Sequence, residues 1–409
     1  MNSSQKLSKR VAEAVTAHHE NQQWEDFIVL MLSKLELSRD KQGEVRKRYD
    51  GLAKHVARKL GIGEHDAHVV VQGSMRTQTT IAALGNQKFD LDVVVKLSGP
   101  RFTALRESEA FFEQFGQALH GVDDAAGDPQ RKNRCWRLQY PGEPFYFDVT
   151  PAIPMSAGIT GTDLRVRDPE TTWSPSNPEE FADWFCTIAA KRFPFQGQAE
   201  HLRMKFEANT KVDPIPNKPV GIDDILRRTV QLIKLHRENY YRGMSAEKQA
   251  LKPISVILVT LAAQVYDELV VTQPRAFTSA IEVALEVVDR LPDFIERSYG
   301  HVQVDNPAIP GVHGENFADK WNHDDGHRDA EFTRWHRRLT TDLAALFEEG
   351  YTKKTELRIR NIFGEFGLAA WKASLPKAPV LSGLLATLPA HARSNPSAPI
   401  NTGSRDTLA

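Results

Sequence analysis

The sequence "FDLDVVVKL", residues Phe89–Leu97, places two aspartates inside what otherwise reads as a buried strand. Side chains two residues apart on a strand project to the same face, so Asp90 and Asp92 point together while Leu91 faces the other way. A buried carboxylate is costly unless it is paired, hydrogen-bonded or bound to a metal. The stretch therefore predicts an acidic site on one face of a sheet.

A second strand with an inward acid follows further along the chain. In "FYFDVTPAI", residues Phe145–Ile153, Asp148 occupies the face opposite to Phe145 and Phe147. If the two strands are neighbours, three carboxylates converge at one end of the sheet. Nothing nearby in sequence supplies a lysine or arginine for that face, so we expect a divalent cation with oxygen ligands, most often Mg²⁺.

An acid-x-acid pair alone is weak evidence for a metal site, because such a pair also occurs facing solvent at the edge of a sheet. The preceding strand strengthens the functional interpretation. It reads "HVVVQGS", His68–Ser74, and ends in Gly73 and Ser74. A glycine lets the backbone approach a phosphate and a hydroxyl can hydrogen-bond to it. The set of three strands favours a site that binds a metal and a phosphate.

Composition limits the class of protein. The chain has 409 residues and a net charge of −1, so we expect two domains and no global basic surface for long nucleic acid. Its two cysteines, Cys135 and Cys186, exclude a disulfide framework and a thiolate zinc site. The N-terminal residues contain no apolar signal-peptide core, and the longest apolar run, Ile254–Tyr266, is too short to span a bilayer. We expect a cytoplasmic protein that does not associate with a membrane.

Periodicity predicts an α+β architecture, with a helix-flanked mixed sheet in the first half and a helical lobe in the second. Residues 155–178 are rich in Pro, Ser, Thr and Asp and are predicted to form a loop. The expected division is a core with long N-terminal helices over residues 1–200, a helical lobe over 201–385 and a flexible tail over 386–409. A fourth strand is predicted over Asn133–Tyr140, in addition to the strand that ends in Gly-Ser and the two strands that carry aspartates. Two helices are predicted within Leu7–Leu60, with Ser38 as the cap of the second. Further helices are predicted over Glu107–His120, Pro178–Lys191, Asp223–Tyr241, Pro253–Tyr266, Ala276–Leu291 and Asp329–Glu349.

The order Gly-Ser, acid-x-acid, third acid resembles the nucleotidyltransferase superfamily typified by DNA polymerase beta. Four later segments resemble the bacterial cGAS/DncV-like nucleotidyltransferases, and the resemblance covers roughly residues 40 to 370. It implies a polymerase-beta-like core and a bilobed architecture similar to that of oligoadenylate synthases. The four segments are "WSPSNPEEFADWF" (Trp173–Phe185), "LRRTVQLIKLHRENYY" (Leu226–Tyr241), "KPISVILVTLAAQVY" (Lys252–Tyr266) and "NPAIPGVHGENFADKW" (Asn306–Trp321).

The resemblance also implies an activity. Enzymes of this family join NTPs into cyclic or linear oligonucleotide second messengers in the anti-phage systems called CBASS, and the product acts through a downstream effector. For this chain the family implies two Mg²⁺ ions, which Mn²⁺ can replace, and favours ATP among the NTP substrates. The expected product is a cyclic, adenine-containing di- or trinucleotide.

Carried over residue by residue, the family pattern assigns roles to eight positions. Asp90 and Asp92 would bind both metal ions, and Asp148 would complete the metal site on the side of the acceptor and favour deprotonation of the attacking hydroxyl. The remaining five would bind nucleotide: Gln72, Gly73 and Ser74 at the donor triphosphate, Lys234 at the phosphates, and Ser255.

Other interpretations remain open. Lys234 borders the apolar stripe of a helix, where a lysine can simply extend its charged end to water. Ser255 falls in the first turn of a helix, where helix-start chemistry also explains a serine. The chain could instead transfer nucleotides to a protein or RNA acceptor, or be a catalytically silent nucleotide-binding regulator.

The C-terminal tail suggests a partner. In some operons of this family a ubiquitin-transfer-like enzyme joins a flexible C-terminus that ends in a small residue to a target, and Ala409 would suit that reaction. A tail without a role is the alternative. The resemblance also implies operon-encoded regulators.

Overall fold

The structure is a computed structural model that describes most of the chain. The described ranges are 21–81, 88–103, 105–155, 163–195, 224–309, 314–348 and 353–375, with isolated positions before residue 21 and at 350. The described residues up to Ser374 form one compact unit. The predicted tail with Ala409, and the predicted domain boundary at residue 200, lie outside the described residues, so both stay predictions.

A seven-stranded mixed sheet forms the first half of the compact unit, as predicted. Its strand order is β1-β2-β5-β4-β3, while β6 pairs with the end of β5 and β7 pairs with β6. The central pair, β2 and β5, is parallel, and its register sets Asp92 opposite Asp148. The strands are β1 (Ala67–Val71), β2 (Phe89–Leu97), β3 (Ala126–Arg131), β4 (Trp136–Gln139), β5 (Phe145–Pro154), β6 (Leu164–Asp168) and β7 (Thr172–Ser176).

Helices cover the apolar face of this sheet. The second helix begins after the predicted cap Ser38, whose hydroxyl accepts a hydrogen bond from the Lys41 amide, and ends at Gly61 in the left-handed conformation. Its apolar stripe and that of the fifth helix pack on Leu91 and Phe147. The opposite face of the sheet is therefore left for the carboxylates. The helices in the first half of the sequence are α1 (Asn21–Ser33), α2 (Arg39–Leu60), α3 (Gly73–Thr77), α4 (Pro100–Thr103), α5 (Ser108–Ala118) and α6 (Pro178–Ala189). Of these, α1 packs on the helices of the second half, where its Trp24 contacts Phe347 and Trp371.

The second half is mainly helical, as predicted. The last helix was not predicted from the sequence, and it is kinked at Gly364, whose φ is 74°. A short two-stranded ribbon, β8 (Glu296–Ser298) and β9 (His301–Gln303), follows the fourth helix of this half. The helices are α7 (Ile225–Tyr241), α8 (Ala246–Ala250), α9 (Ser255–Thr272), α10 (Ala280–Asp289), α11 (His327–Glu348) and α12 (Lys353–Ser374).

The predicted loop over residues 155–178 is wrong for its described part, because β6 and β7 lie within it. Strand β7 contains Pro175, which argued for a loop in the sequence. Among the described residues this strand pairs with β6 alone, and an edge strand tolerates a proline because one side of it makes no ladder hydrogen bonds. Strand β3, an exposed edge strand with one buried residue, was also missed.

Helix α9 is the one helix in the described ranges whose length and apolar composition would suit a membrane span. More than half of it is buried inside the protein. It packs against α7 and α6, and a buried position between helices accounts for its composition.

Candidate active site

Strands β2 and β5 bring three carboxylates together, as the sequence predicted. The oxygens of Asp90, Asp92 and Asp148 lie within 4.8 Å of one another. Along β2 the side chains alternate, with Leu91 and Val93 fully buried, Asp90 exposed and Asp92 half-buried. Three carboxylates at this spacing provide the oxygen ligands that a hard divalent cation prefers.

The electrostatics of the triad also indicate a site for a divalent cation. Desolvation by the surrounding protein raises the pKa of Asp90 and of Asp92, and the charges of the neighbouring carboxylates raise it further. Both carboxyl groups therefore resist ionisation when no cation is present. A divalent cation bound by the three groups would offset this repulsion, so the residues fit a metal ion.

An arginine compensates part of the charge, and the expectation that no lysine or arginine serves this face is wrong. Arg137 lies opposite Asp148 in the antiparallel pair β4–β5. Its Nε and Nη2 donate to Oδ1 and Oδ2 of Asp148, each at 2.7 Å, and its guanidinium lies 3.7 Å from the centre of the Tyr146 ring. Each carboxylate oxygen keeps a second lone pair, so Asp148 can accept from Arg137 and still bind a cation.

We expect Arg137→Gln to lower the free energy of unfolding of the metal-free protein by about 3 kcal/mol, because Asp148 is then buried without its partner. Urea denaturation measures the change, and added Mg²⁺ should recover part of it. The matched control is Arg131→Gln, which removes exposed ion pairs with Glu109 and Glu113 and should cost about 1 kcal/mol. Equal losses in both variants would contradict the assigned role of Arg137.

The Gly-Ser segment lies against the triad. Gly73 has a φ of 61°, and a Cβ added there would lie 2.6 Å from Oδ2 of Asp92. The amide of Gln72 donates to the carbonyl oxygen of Asp92 at 3.3 Å, and the Ser74 hydroxyl accepts a hydrogen bond from Thr80. Only glycine combines this backbone conformation with this close approach.

Helix α7 holds the backbone of the segment that follows Ser74. Three side chains spaced along one face of the helix each donate a hydrogen bond to a different carbonyl oxygen of this segment. The segment is thereby fixed to the helical half of the protein. The three bonds join Arg227 Nε to Thr77 at 2.8 Å, Gln231 Nε2 to Thr80 at 3.1 Å, and Lys234 Nζ to Thr79 at 2.8 Å.

A cavity of about 840 Å³ opens between the sheet and the helices, and all of the predicted site residues except Asp148 line it. Lys234 is buried beside it, and burial lowers the pKa of Lys234 to about 7. Ser255 begins α9, and its hydroxyl accepts a hydrogen bond from Arg237 at 3.2 Å. Both side chains line the same cavity as Asp90 and Asp92.

One wall of the cavity was missed. Asn306, Glu315 and Phe317 line it together with Phe181. Asn306, Glu315 and Phe317 lie in the sequence "NPAIPGVHGENFADKW", which carried part of the family resemblance, but no residue within it was assigned a role. Their contribution depends on a pairing of two chain segments that the sequence pattern does not reveal.

Comparison with solved structures shows the same fold. CdnG of Bradyrhizobium diazoefficiens, a CD-NTase solved with GTP, is 20% identical with a TM-score of 0.63, over 85% of this chain and 97% of that one. CdnC of Escherichia coli MS115-1, solved with ATP, is 14% identical with a TM-score of 0.55, over 83% and 97%. DncV of Escherichia coli in its 3'-deoxy GTP bound form is 16% identical with a TM-score of 0.51, over 82% and 94%.

The sheet and the helical half are the parts of the fold that this chain shares with these structures, and the acidic triad lies on the sheet. Residues 22–188 match the family model of the Second Messenger Oligonucleotide or Dinucleotide Synthetase domain. This segment carries the triad, and the chain shares the fold of the CD-NTases compared above. A search of the curated proteins finds no match.

Proposed function

We propose that this protein joins NTPs into a cyclic oligonucleotide that contains adenine and serves as a second messenger in anti-phage defence. The observation that carries the proposal is the convergence of Asp90, Asp92 and Asp148, of which the first two line a cavity together with Gly73 and Lys234. A cavity of about 840 Å³ is within the range that small-molecule sites occupy. The match of residues 22–188 to the second-messenger synthetase domain supports the choice of product class.

In the proposed reaction a ribose hydroxyl of one NTP attacks the α-phosphate of the other in line, and pyrophosphate leaves. A second transfer closes the ring. Bound Mg²⁺ ions would lower the pKa of the attacking hydroxyl and neutralise charge on the leaving group. Asp90, Asp92 and Asp148 are the residues that would hold these ions, and Arg137 fixes the carboxylate plane of Asp148 through its two hydrogen bonds.

The other cavity residues bind and orient. Gly73 and Ser74 offer backbone and hydroxyl groups beside Asp92, where the donor triphosphate must lie to reach the metal ions. Lys234 keeps N–H groups beyond the one that it donates to Thr79, and these can donate to a phosphate. The proteins of solved structure that share this fold bind GTP or ATP, which supports NTPs as the substrates.

The test is incubation of the purified protein with Mg²⁺ and each NTP, singly and in pairs. The expected result is release of pyrophosphate and a product that resists phosphatase because a ring has no terminal phosphate. Product formed without an added protein or RNA acceptor excludes the acceptor-modifying alternative. Binding of NTPs without turnover, with Mg²⁺ or Mn²⁺, would instead support a silent regulator.

The proposed setting is the cytoplasm, where NTPs and Mg²⁺ are available. CBASS membership implies operon-encoded regulators and an effector that responds to the product. Conjugation through Ala409 by a ubiquitin-transfer-like enzyme is part of this proposal. Intact-mass measurement after co-expression with the neighbouring genes tests it, and absence of an Ala409-linked adduct would count against it.

We expect the KM for the donor NTP to rise as the pH increases above 7. Lys234 has its pKa lowered to about 7 by burial, so it loses its charge, and its attraction for phosphate, as the pH passes that value. Lys234→Met should raise the KM about tenfold or more and remove this pH dependence. Steady-state rates between pH 6 and 9 measure both effects, and an unchanged pH profile in the variant would exclude Lys234 as the titrating group.

A further inference from the structure

The cavity wall that contains Asn306, Glu315 and Phe317 is formed by two extended segments that hydrogen-bond to each other. The amide of Phe317 donates to the carbonyl oxygen of Val304 at 2.9 Å, and the amide of Asn306 donates to that of Glu315 at 2.8 Å. Residues 304–306 and 315–317 therefore run side by side as extended chain. Because alternate side chains of such a segment share a face, Glu315 and Phe317 both face the cavity.

The residue between them faces the other way and fixes the pair. The Oδ1 of Asn316 accepts hydrogen bonds from the amides of Val304 and Ala318, at 2.9 and 2.8 Å. Its Nδ2 donates to the carbonyl oxygen of Val302 at 2.9 Å. The Asn316 side chain supplies the hydrogen bonds that a third strand would supply in a larger sheet. The cavity wall is therefore held in place by the protein itself, without a ligand.

The Glu315 carboxylate is held at one oxygen and open at the other. Its Oε2 accepts a hydrogen bond from Nδ2 of Asn306 at 2.9 Å. Asn306 is only 2% exposed, and its Oδ1 is occupied by the Ala308 amide. Within the described ranges no donor contacts Oε1 of Glu315. The cavity therefore contains an oriented group that can only accept hydrogen bonds when ionised.

Aromatic rings lie beside this carboxylate. Phe317 and Phe181 meet edge to face, with ring centres 5.7 Å apart and planes at 88°. Both line the cavity, and neither is fully buried. A ring face next to an oriented hydrogen-bonding group is the arrangement by which proteins stack an unpaired base and contact its Watson–Crick edge.

We propose that Glu315 selects guanine at one of the two nucleotide positions, with Phe317 and Phe181 packing on the base. Guanine presents two adjacent donors, N1–H and N2–H, which match the two oxygens of a carboxylate. Adenine presents a donor, N6–H, next to an acceptor, N1, and that acceptor would face a carboxylate oxygen. Uracil and cytosine likewise place an acceptor beside their single donor. This inference rests on the proposed function and adds one guanine to the adenine expected in the product.

The substitution Glu315→Gln tests the proposal sharply. Glutamine has the same shape but presents one acceptor and one donor, which is the complement of adenine rather than of guanine. Its carbonyl oxygen can keep the hydrogen bond from Asn306, so the wall should stay folded. We expect the affinity for GTP to fall about tenfold or more, and the preference between GTP and ATP to move toward ATP.

The measurement is calorimetric titration of the full chain, with Mg²⁺, using GTP and ATP analogues that cannot release pyrophosphate. It is made at pH 8 because burial raises the pKa of Glu315. The matched control is Asp305→Asn, which removes one carboxylate from the same segment but lies exposed and outside the cavity. Melting curves of both variants verify that they are folded.

The outcomes separate this inference from the proposed function. A selective loss of GTP affinity in Glu315→Gln, absent in Asp305→Asn, supports guanine selection whether or not NTPs are turned over. Equal GTP affinity in the wild type and Glu315→Gln overturns it, even if the protein synthesises an oligonucleotide. A loss of equal size for GTP and ATP also overturns it, because the residue then does not distinguish the bases.

Discussion

Asp92→Asn is expected to reduce nucleotidyl transfer at least about 10³-fold. Asp92 stands opposite Asp148 on the neighbouring strand, and its carboxylate lies within 4.8 Å of those of Asp90 and Asp148, so it is positioned to share any cation that the other two carboxylates bind. An amide carries no charge and holds a hard divalent cation weakly, and loss of a metal that stabilises transition-state charge costs several kcal/mol. Pyrophosphate release with saturating NTP and Mg²⁺ measures the effect.

The same variant should be more stable than the wild type in the absence of metal. Because the pKa of Asp92 is raised in the folded protein, the folded state binds more protons than the unfolded state above about pH 4. Stability therefore falls as the pH rises from about 4 toward neutrality, and Asp92→Asn removes part of this fall. Thermal melting in chelator across this range measures it.

A control for both effects is Asp123→Asn, which removes an exposed carboxylate outside the cavity. It should leave pyrophosphate release and the pH dependence of stability close to those of the wild type. Wild-type turnover in Asp92→Asn would contradict the assignment of the triad as the metal site. A melting temperature at or above that of the wild type would show that the loss of activity is not caused by unfolding.

Gly73→Ala is expected to lower turnover about 100-fold. The new Cβ would lie 2.6 Å from Oδ2 of Asp92, a distance at which one of the two groups must shift. Displacement of a reacting group by about 1 Å can cost about 100-fold in rate. The backbone at Gly73, with its φ of 61°, adds a conformational cost of about 1 kcal/mol for alanine.

Gly61→Ala separates the two causes. Gly61 has a φ of 66°, close to that of Gly73, but nothing lies within 4 Å of the position of its Cβ. Both variants should lose stability in urea denaturation because of the left-handed backbone, Gly73→Ala the more because of its contact with Asp92, while only Gly73→Ala should lose turnover. Equal turnover in the two variants would show that the approach to Asp92 does not matter for the reaction.

The acidic strands could be predicted because each obeys a two-residue alternation that is visible without a structure. Phe89–Leu97 was predicted with the bounds that the structure shows, since its valines leave no alternative to a buried strand. Pairing partners could not be predicted in the same way. Arg137 reaches Asp148 through the register of two strands, and no local pattern encodes which residues stand opposite each other.

The second half of the cavity shows the same limit. Lys234 and Ser255 were placed through the family resemblance, while Glu315 was not, because its orientation depends on the pairing of residues 304–306 with 315–317. Strand β7 was hidden by Pro175, whose tolerance depends on the strand being at an edge. In each case the missing information is a long-range contact rather than a local preference.

The hydrogen bonds from α7 to the carbonyl oxygens of Thr77, Thr79 and Thr80 have a thermodynamic consequence for substrate affinity. Ordering a loop around a ligand normally subtracts its conformational entropy from the binding free energy. Here that entropy is lost when the chain folds, because the helical half immobilises the segment beside Ser74. A triphosphate bound beside Ser74, as proposed, would meet a segment that is already ordered, and the full strength of its contacts would contribute to affinity.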